Sequence, residues 1–298
     1  MADIIHYNNC PVCGAAELKT VMRVKDYLVS GELFELAECS TCGVRITQDA
    51  PGAGTIDRYY KSEEYISHSN TKKGIINRLY HQVRKYTLVQ KRKWVEKWTR
   101  RQQGRLLDIG AGSGAFVAEM KGSGWEVTGL EPDPQARKVA QQDHGIVLND
   151  ISLLGSLPPG TFDAITLWHV LEHVHDLQGY IRKIHELLAP DGVLFIAVPN
   201  YESADAVYFA EYWAAYDVPR HLYHFSPGSM QQLLNGQGLE IASQIAMRFD
   251  SYYVSLLSNK AKTGSNRFFH SFWKGFQSNL RAKRYGASSM LYIAKKQQ

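Results

Sequence analysis

A chain of 298 residues that is 44% hydrophobic and 21% charged can bury one sizeable core plus an accessory module, and this composition excludes intrinsic disorder. No apolar run approaches the ~20 residues that span a bilayer, and the start Met-Ala-Asp-Ile-Ile-His lacks a basic segment with an apolar stretch behind it, so a cytoplasmic protein is expected. The net charge of +5 is uneven: residues 72–105 hold twelve Lys and Arg against one acid, residues 251–298 hold nine against none, and the remainder is acidic. Such basic wings suit an anionic partner, whether a phosphate-bearing substrate, a lipid surface or RNA, or else form a solvated helix face.

All four cysteines fall in two knuckles, Cys10-Pro-Val-Cys13-Gly and Cys39-Ser-Thr-Cys42-Gly, with 25 residues between Cys13 and Cys39. Each turn presents two thiolates to one ion, the glycine permits the bend, and four sulfurs close a tetrahedral Zn2+ site with no position left for substrate. Residues 1–48 are therefore expected to be a ribbon with a structural zinc, in preference to two disulfides or a redox pair. Asp49-Ala-Pro-Gly-Ala-Gly54 is a linker by composition. From Ile75 to Trp98 the apolar residues Ile75, Leu79, Val83, Tyr86, Trp94 and Trp98 mostly keep helical spacing, so residues 49–103 read as a linker and a cap of one or two basic helices.

Strand patterns near 105–109, 126–130, 146–148, 162–168 and 192–198, alternating with helical ones, predict an α/β fold with a doubly wound, mainly parallel sheet. The first strand runs into Asp108-Ile-Gly110-Ala111-Gly112-Ser-Gly114, a glycine turn ahead of a helix. Backbone amides there approach a ligand closely and the helix start favours a carboxylate or hydroxyl, which points to a nucleoside-type cofactor. A dinucleotide is the rival, since Gly110-x-Gly112-x-x-Ala115 meets a loose fingerprint and Glu131 stands 23 residues past Asp108. Asp108 decides against it, because a carboxylate at the turn repels pyrophosphate and suits a cationic amino-acid tail.

Further along, Thr161-Phe-Asp-Ala-Ile-Thr-Leu-Trp168-His169-Val-Leu-Glu172-His173 is an apolar strand ending in aromatic and imidazole groups. Its His169-x-x-Glu172-His173 spacing matches the inverted zinc peptidases, but there both histidines belong to a helix, whereas here the stretch begins at a strand end. An aromatic-rich segment, Tyr201 to Phe225, contains Arg220-His221-Leu-Tyr223-His224-Phe225. Pro227–Gly236 reads as a helix capped by Ser226, and 239–247 and 288–295 as strands. Between those strands, at about 250–287, Phe269, Phe272, Trp273, Phe276 and Leu280 share a helical face beside Lys274, Arg281, Lys283 and Arg284. This face suits packing on the domain itself, a substrate lid or a membrane surface.

The DIGAGSG segment, the LEPD around Glu131, the strand ending in Trp168-His169 and Gly192-Val-Leu-Phe-Ile-Ala-Val-Pro199 together resemble the class I S-adenosylmethionine-dependent methyltransferases. The resemblance covers roughly Gly104 to Met247 plus the last strand, and it makes 104–298 the methyltransferase domain. It implies a Rossmann-like seven-stranded sheet whose final strand is antiparallel beside strand five. It also implies that Asp108, Gly110, Ala111 and Gly112 cradle the methionine part, and that Glu131, followed by Pro132, accepts the ribose hydroxyls. Asp150 would meet the adenine amino group, and Trp168 and His169 would line the methyl-transfer channel. The RHLYHF segment is similar to one in many bacterial small-molecule methyltransferases, and makes His221 or His224 the expected general base, since imidazole titrates near neutral pH. Tyr59 to Ser69, after a zinc ribbon, is loosely similar to bacterial sugar methyltransferases and offers Tyr65 and His68 to close over the cofactor.

The expected activity is thus methyl transfer from S-adenosylmethionine to a small-molecule or glycan-type acceptor, with oxygen as the acceptor atom and phosphate as a substituent. An RNA methyltransferase gripping its substrate through ribbon and basic helices, and a non-catalytic cofactor-binding scaffold, are the alternatives.

Overall fold

In the computed structural model, which describes residues 3–60, 75–265 and 267–297, the ribbon and the central domain each form around a sheet. The first strands are β1 (Ile4–Ile5), β2 (Leu18–Lys25), β3 (Leu33–Cys39), β4 (Arg45–Thr47) and β5 (Ala50–Pro51). Here β1 pairs with β5, and β2, β3 and β4 form an antiparallel meander. The helix α1 (Ile75–Thr99) leads into β6 (Arg105–Ile109), α2 (Ala115–Gly122), β7 (Glu126–Leu130), α3 (Pro134–His144), β8 (Phe162–Trp168), α4 (Leu177–Leu187) and β9 (Leu188–Pro199). After these come α5 (Ala204–Phe209), β10 (Tyr223–His224), α6 (Pro227–Asn235), β11 (Leu239–Ala246), α7 (Asp250–Thr263), α8 (Phe268–Tyr285) and β12 (Ser289–Lys296).

The central sheet runs β11-β12-β9-β8-β6-β7, with β7, β6, β8 and β9 parallel and β12 antiparallel between β9 and β11. Helices on both faces bury the middle strands, which is why β8 and the second half of β9 read as near-continuous apolar runs. One expectation is corrected. The strand expected at 146–148 is a single parallel bridge between Leu130 and Asn149, so six full strands and one bridge replace seven strands. Asp150 ends the extended backbone there by capping the 3-10 turn Ile151–Ser156 through the Ser152 amide, and Val147 is left 76% exposed.

The inner face of α1 carries Leu88, Trp94, Val95 and Trp98 into a core shared with Leu106, Phe116 and Phe195. It is one continuous helix. Its arginines are partly spent inside the molecule, Arg92 on Glu96 and Glu119 and Arg84 on the Ser113 hydroxyl beside the glycine turn.

Far along the chain, β10 pairs with β4, so the RHLYHF segment completes the ribbon sheet in the order β10-β4-β3-β2. The Gln178 side chain of α4 donates to the Pro11 and Val12 carbonyls of the first knuckle. The ribbon is thereby joined to the catalytic-domain segments on two sides.

The described residues between 250 and 287 form two packed helices, and α8 packs through the face opposite its aromatic one. It buries the small stripe Ser271, Gly275 and Ser278, a Cβ on Gly275 would stand 2.9 Å from the Ser251 carbonyl, and Ser278 donates to Asp205. Phe269, at 88% exposure, Trp273 and Leu280 face outward. Backbone approach through small residues has outweighed burial of the aromatic face. Among the described residues, no helix is long and apolar enough to cross a membrane.

Candidate active site

The strand β6 ends in a turn that the neighbouring strand holds open. The amides of Gly110 and Ala111 donate to the Leu130 carbonyl at the end of β7, fixing the loop against the sheet edge where ligands bind in doubly wound folds. Gly110, Gly112 and Gly114 all have positive φ. A Cβ on Gly110 would strike Val170 at 2.4 Å, whereas one on Gly112 would meet nothing within 4 Å. The space over Gly112 is open. Glu131 lies beside it, nearly buried, with one carboxylate oxygen accepting from the Gly112 amide at 2.7 Å and the other from the Asp133 amide at 3.0 Å. Burial raises its pKa despite those donors.

Asp108 is buried below the turn and accepts from the Thr166 hydroxyl at 2.6 Å, and burial pushes its carboxyl up to about 7. The adjacent Pro132 carbonyl and the Glu131 carbonyl both accept from Arg137, which also pairs with Asp150 at 2.9 Å. Asp150 is thus half exposed at the far side of the crevice, its carboxyl held down by the Ser152 amide and by Arg137. An open glycine cradle with one carboxylate below and another beside it fits S-adenosylmethionine: Asp108 suits its ammonium group and Glu131 a pair of ribose hydroxyls.

Beyond β8, Trp168 packs edge-to-face on Phe116, and the Lys91 ammonium stands 4.2 Å from a Trp168 ring centroid. His169 follows at φ 58°, an uncommon conformation for a residue with a side chain, and its amide donates a hydrogen bond to the Ala197 carbonyl. Its Nε2 meets Asp250 at 3.1 Å and its Nδ1 stands 3.5 Å from Glu172. Burial alone would push His169 down, but the two carboxylates outweigh it and raise the imidazole to about 9. Sequence reasoning did not single out Lys91, Asp250 or Glu172 as site residues. For Lys91 the signal was present, since Leu88, Lys91, Val95 and Trp98 fall on one helical face and the lysine interrupts it.

His221 and His224 lie in different surroundings. The His221 Nδ1 donates to the Ala215 carbonyl at 2.9 Å, and its ring packs edge-to-face on His173 at 4.6 Å between centroids. His224 is buried within β10, its Nε2 against the Thr47 hydroxyl at 3.1 Å, and burial holds it far below the usual imidazole range. Between them the chain brings His169, Glu172, His173 and His221 together and sends His224 into the ribbon interface. Tyr65 and His68 lie outside the described residues.

In the ribbon, Cys10 and Cys42 sulfurs are 3.5 Å apart and Cys13 and Cys39 sulfurs 3.6 Å, with all four within 4.8 Å of one another. Four thiolates at 2.3 Å from a tetrahedral zinc would stand about 3.8 Å apart, so the donor set fits that ion. Each knuckle closes by a glycine amide, Gly14 to the Cys10 carbonyl and Gly43 to the Cys39 carbonyl. The neighbouring Cys42 thiol lowers Cys10 to about 5, while the same contact raises Cys42.

A doubly wound sheet with its last strand reversed, a glycine turn after the first strand and an acid after the second defines a class I S-adenosylmethionine-dependent methyltransferase. A family model described as "Methyltransferase domain" matches residues 80–244, and the chain belongs to this family. It is 30% identical over 162 residues to the ubiquinone biosynthesis O-methyltransferase of Xanthomonas euvesicatoria pv. vesicatoria, covering 50% of this chain and 67% of that protein. Over 163 residues it is 31% identical to the protein of the same name from Xanthomonas oryzae pv. oryzae, with the same coverage. Among solved structures, a putative sarcosine dimethylglycine methyltransferase from Galdieria sulphuraria superposes with a TM-score of 0.51 at 15% identity, covering 70% of this chain and 86% of that one. That likeness concerns the fold.

Proposed function

We propose that the chain methylates a hydroxyl oxygen of a small-molecule acceptor. One observation carries this reading: a cluster of Glu172, His173 and His221 sits beyond the strand end Trp168-His169, on the side of the sheet that also holds the glycine turn. The O-methyltransferase names of the curated relatives support oxygen as the acceptor atom.

S-adenosylmethionine, when bound, supplies a methyl group activated by its sulfonium. The open turn at Gly110 and Gly112, with Asp108 and Glu131, holds the cofactor, and Ala111 and Pro132 shape the turn around it. Asp150 borders the adenine end. Trp168, with Lys91 across its ring, walls the channel. His169, charged and pinned between Asp250 and Glu172, is a positioning residue that gives the channel a fixed positive group. Removal of the acceptor proton falls to the cluster containing His221, while His224 holds β10 to the ribbon. The ribbon carries a structural zinc and fixes the RHLYHF segment from behind.

A phosphate-bearing acceptor draws support from the net basic charge of the chain, a neutral glycan draws none from it, and RNA draws less than a small phosphate ester because Arg84 and Arg92 of α1 are engaged internally. The test is a panel of phenols, catechols, phosphosugars and bulk tRNA incubated with the purified chain and S-adenosylmethionine, read by mass spectrometry. Gain of one methyl on a hydroxylated small molecule supports the reading. Methylation confined to tRNA, or cofactor binding with no transfer to any hydroxyl, overturns it.

A further inference from the structure

Glu172 and His173 lie in the 3-10 turn Leu171–His173 just past β8, and His221 reaches them from the loop ahead of β10. One ligating atom from each lies within 4.8 Å of the others. Neither the cofactor cradle nor the ribbon uses this cluster.

Three features point to a cation. Glu172 is wholly buried, and among the described residues neither of its carboxylate oxygens has a hydrogen-bond partner. Its approach to His169 Nδ1, at 3.5 Å, is an ion-pair distance without hydrogen-bond geometry. His169 shares its charge with Asp250 and donates no hydrogen bond to Glu172, so the enclosed carboxylate still has both oxygens free for a ligand. Next, His173 Nδ1 faces the Arg220 carbonyl at 3.0 Å and the Tyr60 hydroxyl at 3.1 Å, and His221 Nδ1 faces the Ala215 carbonyl at 2.9 Å. Carbonyls only accept, so both rings carry a proton on Nδ1, which leaves Nε2 as the nitrogen a metal would take, the arrangement in which metal-binding histidines are fixed by a main-chain acceptor. Finally, Asp217 turns its second oxygen toward His221 Nε2 at 3.8 Å while the first is held by Arg220.

We propose that Glu172, His173 and His221 bind a single divalent transition-metal ion, separate from the ribbon zinc. Two imidazoles and one carboxylate suit zinc, iron(II), manganese or cobalt and leave coordination positions open. An acceptor hydroxyl in an open position loses its O–H proton to water more readily, and the resulting oxygen stays bound for methyl transfer. Metal binding stands on the cluster alone. Its use on a hydroxyl rests on the O-methylation reading above and replaces a bare histidine base with a metal-held oxygen.

The experiment is cobalt(II) titration of the full chain after metal removal under reducing conditions, followed by absorption spectroscopy. The expected result is two equivalents per chain, one with intense sulfur-to-cobalt charge-transfer bands from the ribbon and one with only visible d–d bands. Glu172→Gln and, in case that buried change unfolds the chain, His221→Gln should each lose the second equivalent while keeping the thiolate bands, which report an intact ribbon. Binding of one equivalent with thiolate bands only, or a second equivalent that persists in both variants, overturns the site. If the second ion binds as expected but methyl transfer proceeds equally well without it, the site stands and its role in activating a hydroxyl falls.

Discussion

Arg220 of the RHLYHF segment donates to Asp26 of the ribbon at 3.0 Å, across 194 residues of chain, with the guanidinium 1% exposed and the carboxylate fully buried. Arg220 also forks onto Asp217 and donates to the Tyr59 carbonyl, so one side chain ties together three segments. Removing one partner of such a pair leaves a buried charge without compensation. Arg220→Met is expected to cost about 3–5 kcal/mol of stability, read from urea unfolding, with Arg220→Lys intermediate because the ammonium cannot reproduce the fork. Burial pushes the Asp26 carboxyl up, but Arg220 and the Ser30 amide outweigh it and hold it below its usual value. Its contribution is therefore present above an unfolded pKa of about 3.9 and is lost as pH falls through the lower folded value. Asp26→Asn should flatten the acid limb of the stability profile, and an unchanged limb would count against the pair.

Loss of the metal proposed for the four thiolates should reach beyond the ribbon. The knuckle around Cys39 continues from β3, β3 pairs with β4, and β4 pairs with the β10 strand carrying His224. Cys10→Ser and Cys42→Ser are each expected to lose the thiolate charge-transfer bands of the cobalt(II)-substituted ribbon and to lower the unfolding temperature of the whole chain. Increased amide exchange at Tyr223 and His224 would accompany the loss. Exchange that rises only in residues 4–48 would show the two sheets to be energetically independent.

Two neighbouring residues of the cofactor crevice, Gly112 and Glu131, test its assignment. Gly112 has φ 54° and open space above it, so Gly112→Val pays left-handed strain of about 1–2 kcal/mol and also fills the cradle. Glu131→Ala keeps the backbone but removes the acceptors for ribose, and charged hydrogen bonds of about 1.5–3 kcal/mol correspond to roughly 10- to 100-fold weaker binding. Calorimetric titration with S-adenosylhomocysteine should show both losses, and thermal unfolding of Glu131→Ala should also fall, because the Gly112 and Asp133 amides lose their acceptors; Glu131→Gln, which keeps an acceptor for one amide, should lose affinity with the smaller loss of stability. A normal dissociation constant in Glu131→Ala would remove the assigned ribose contact.

Much of this arrangement is local, and local features were readable. The strands ending at Ile109 and Trp168 are largely apolar stretches stopped by a glycine or polar turn, the trace left by strands covered on both faces, while the edge strand ending at Leu130, Glu-Val-Thr-Gly-Leu, is legible from its place in the strand–helix alternation. The bridge at Asn149 escaped because the apolar pair Val147 and Leu148 suggests a strand, while the Asp150 cap that ends it favours a turn. On α8 the aromatic stripe dominates the hydrophobic pattern, yet close helix contact at Gly275 decided the packing. The Arg220–Asp26 pair and the meeting of Glu172 with His221 depend on folding distant segments together, and no spacing within either segment encodes them.

His169 gives the pH dependence of the site its direction. Its imidazole is raised to about 9 by Asp250 and Glu172, so at neutral pH it is charged and neutralises part of the acidity around it. A group raised on folding contributes fully below its unfolded pKa of about 6.5, and that contribution is lost as pH rises through about 9. Asp250→Asn removes the hydrogen-bonded carboxylate, so the His169 titration observed by NMR should move down toward the ordinary imidazole range. The alkaline loss of activity should move down with it, because an uncharged His169 no longer holds Glu172 and the channel wall in place. A His169→Gln variant keeps the ring site polar but cannot titrate, and its rate should be lower at pH 7 and flat between pH 7 and 10. A profile in that variant that still falls near pH 9 would assign the alkaline limb to another group.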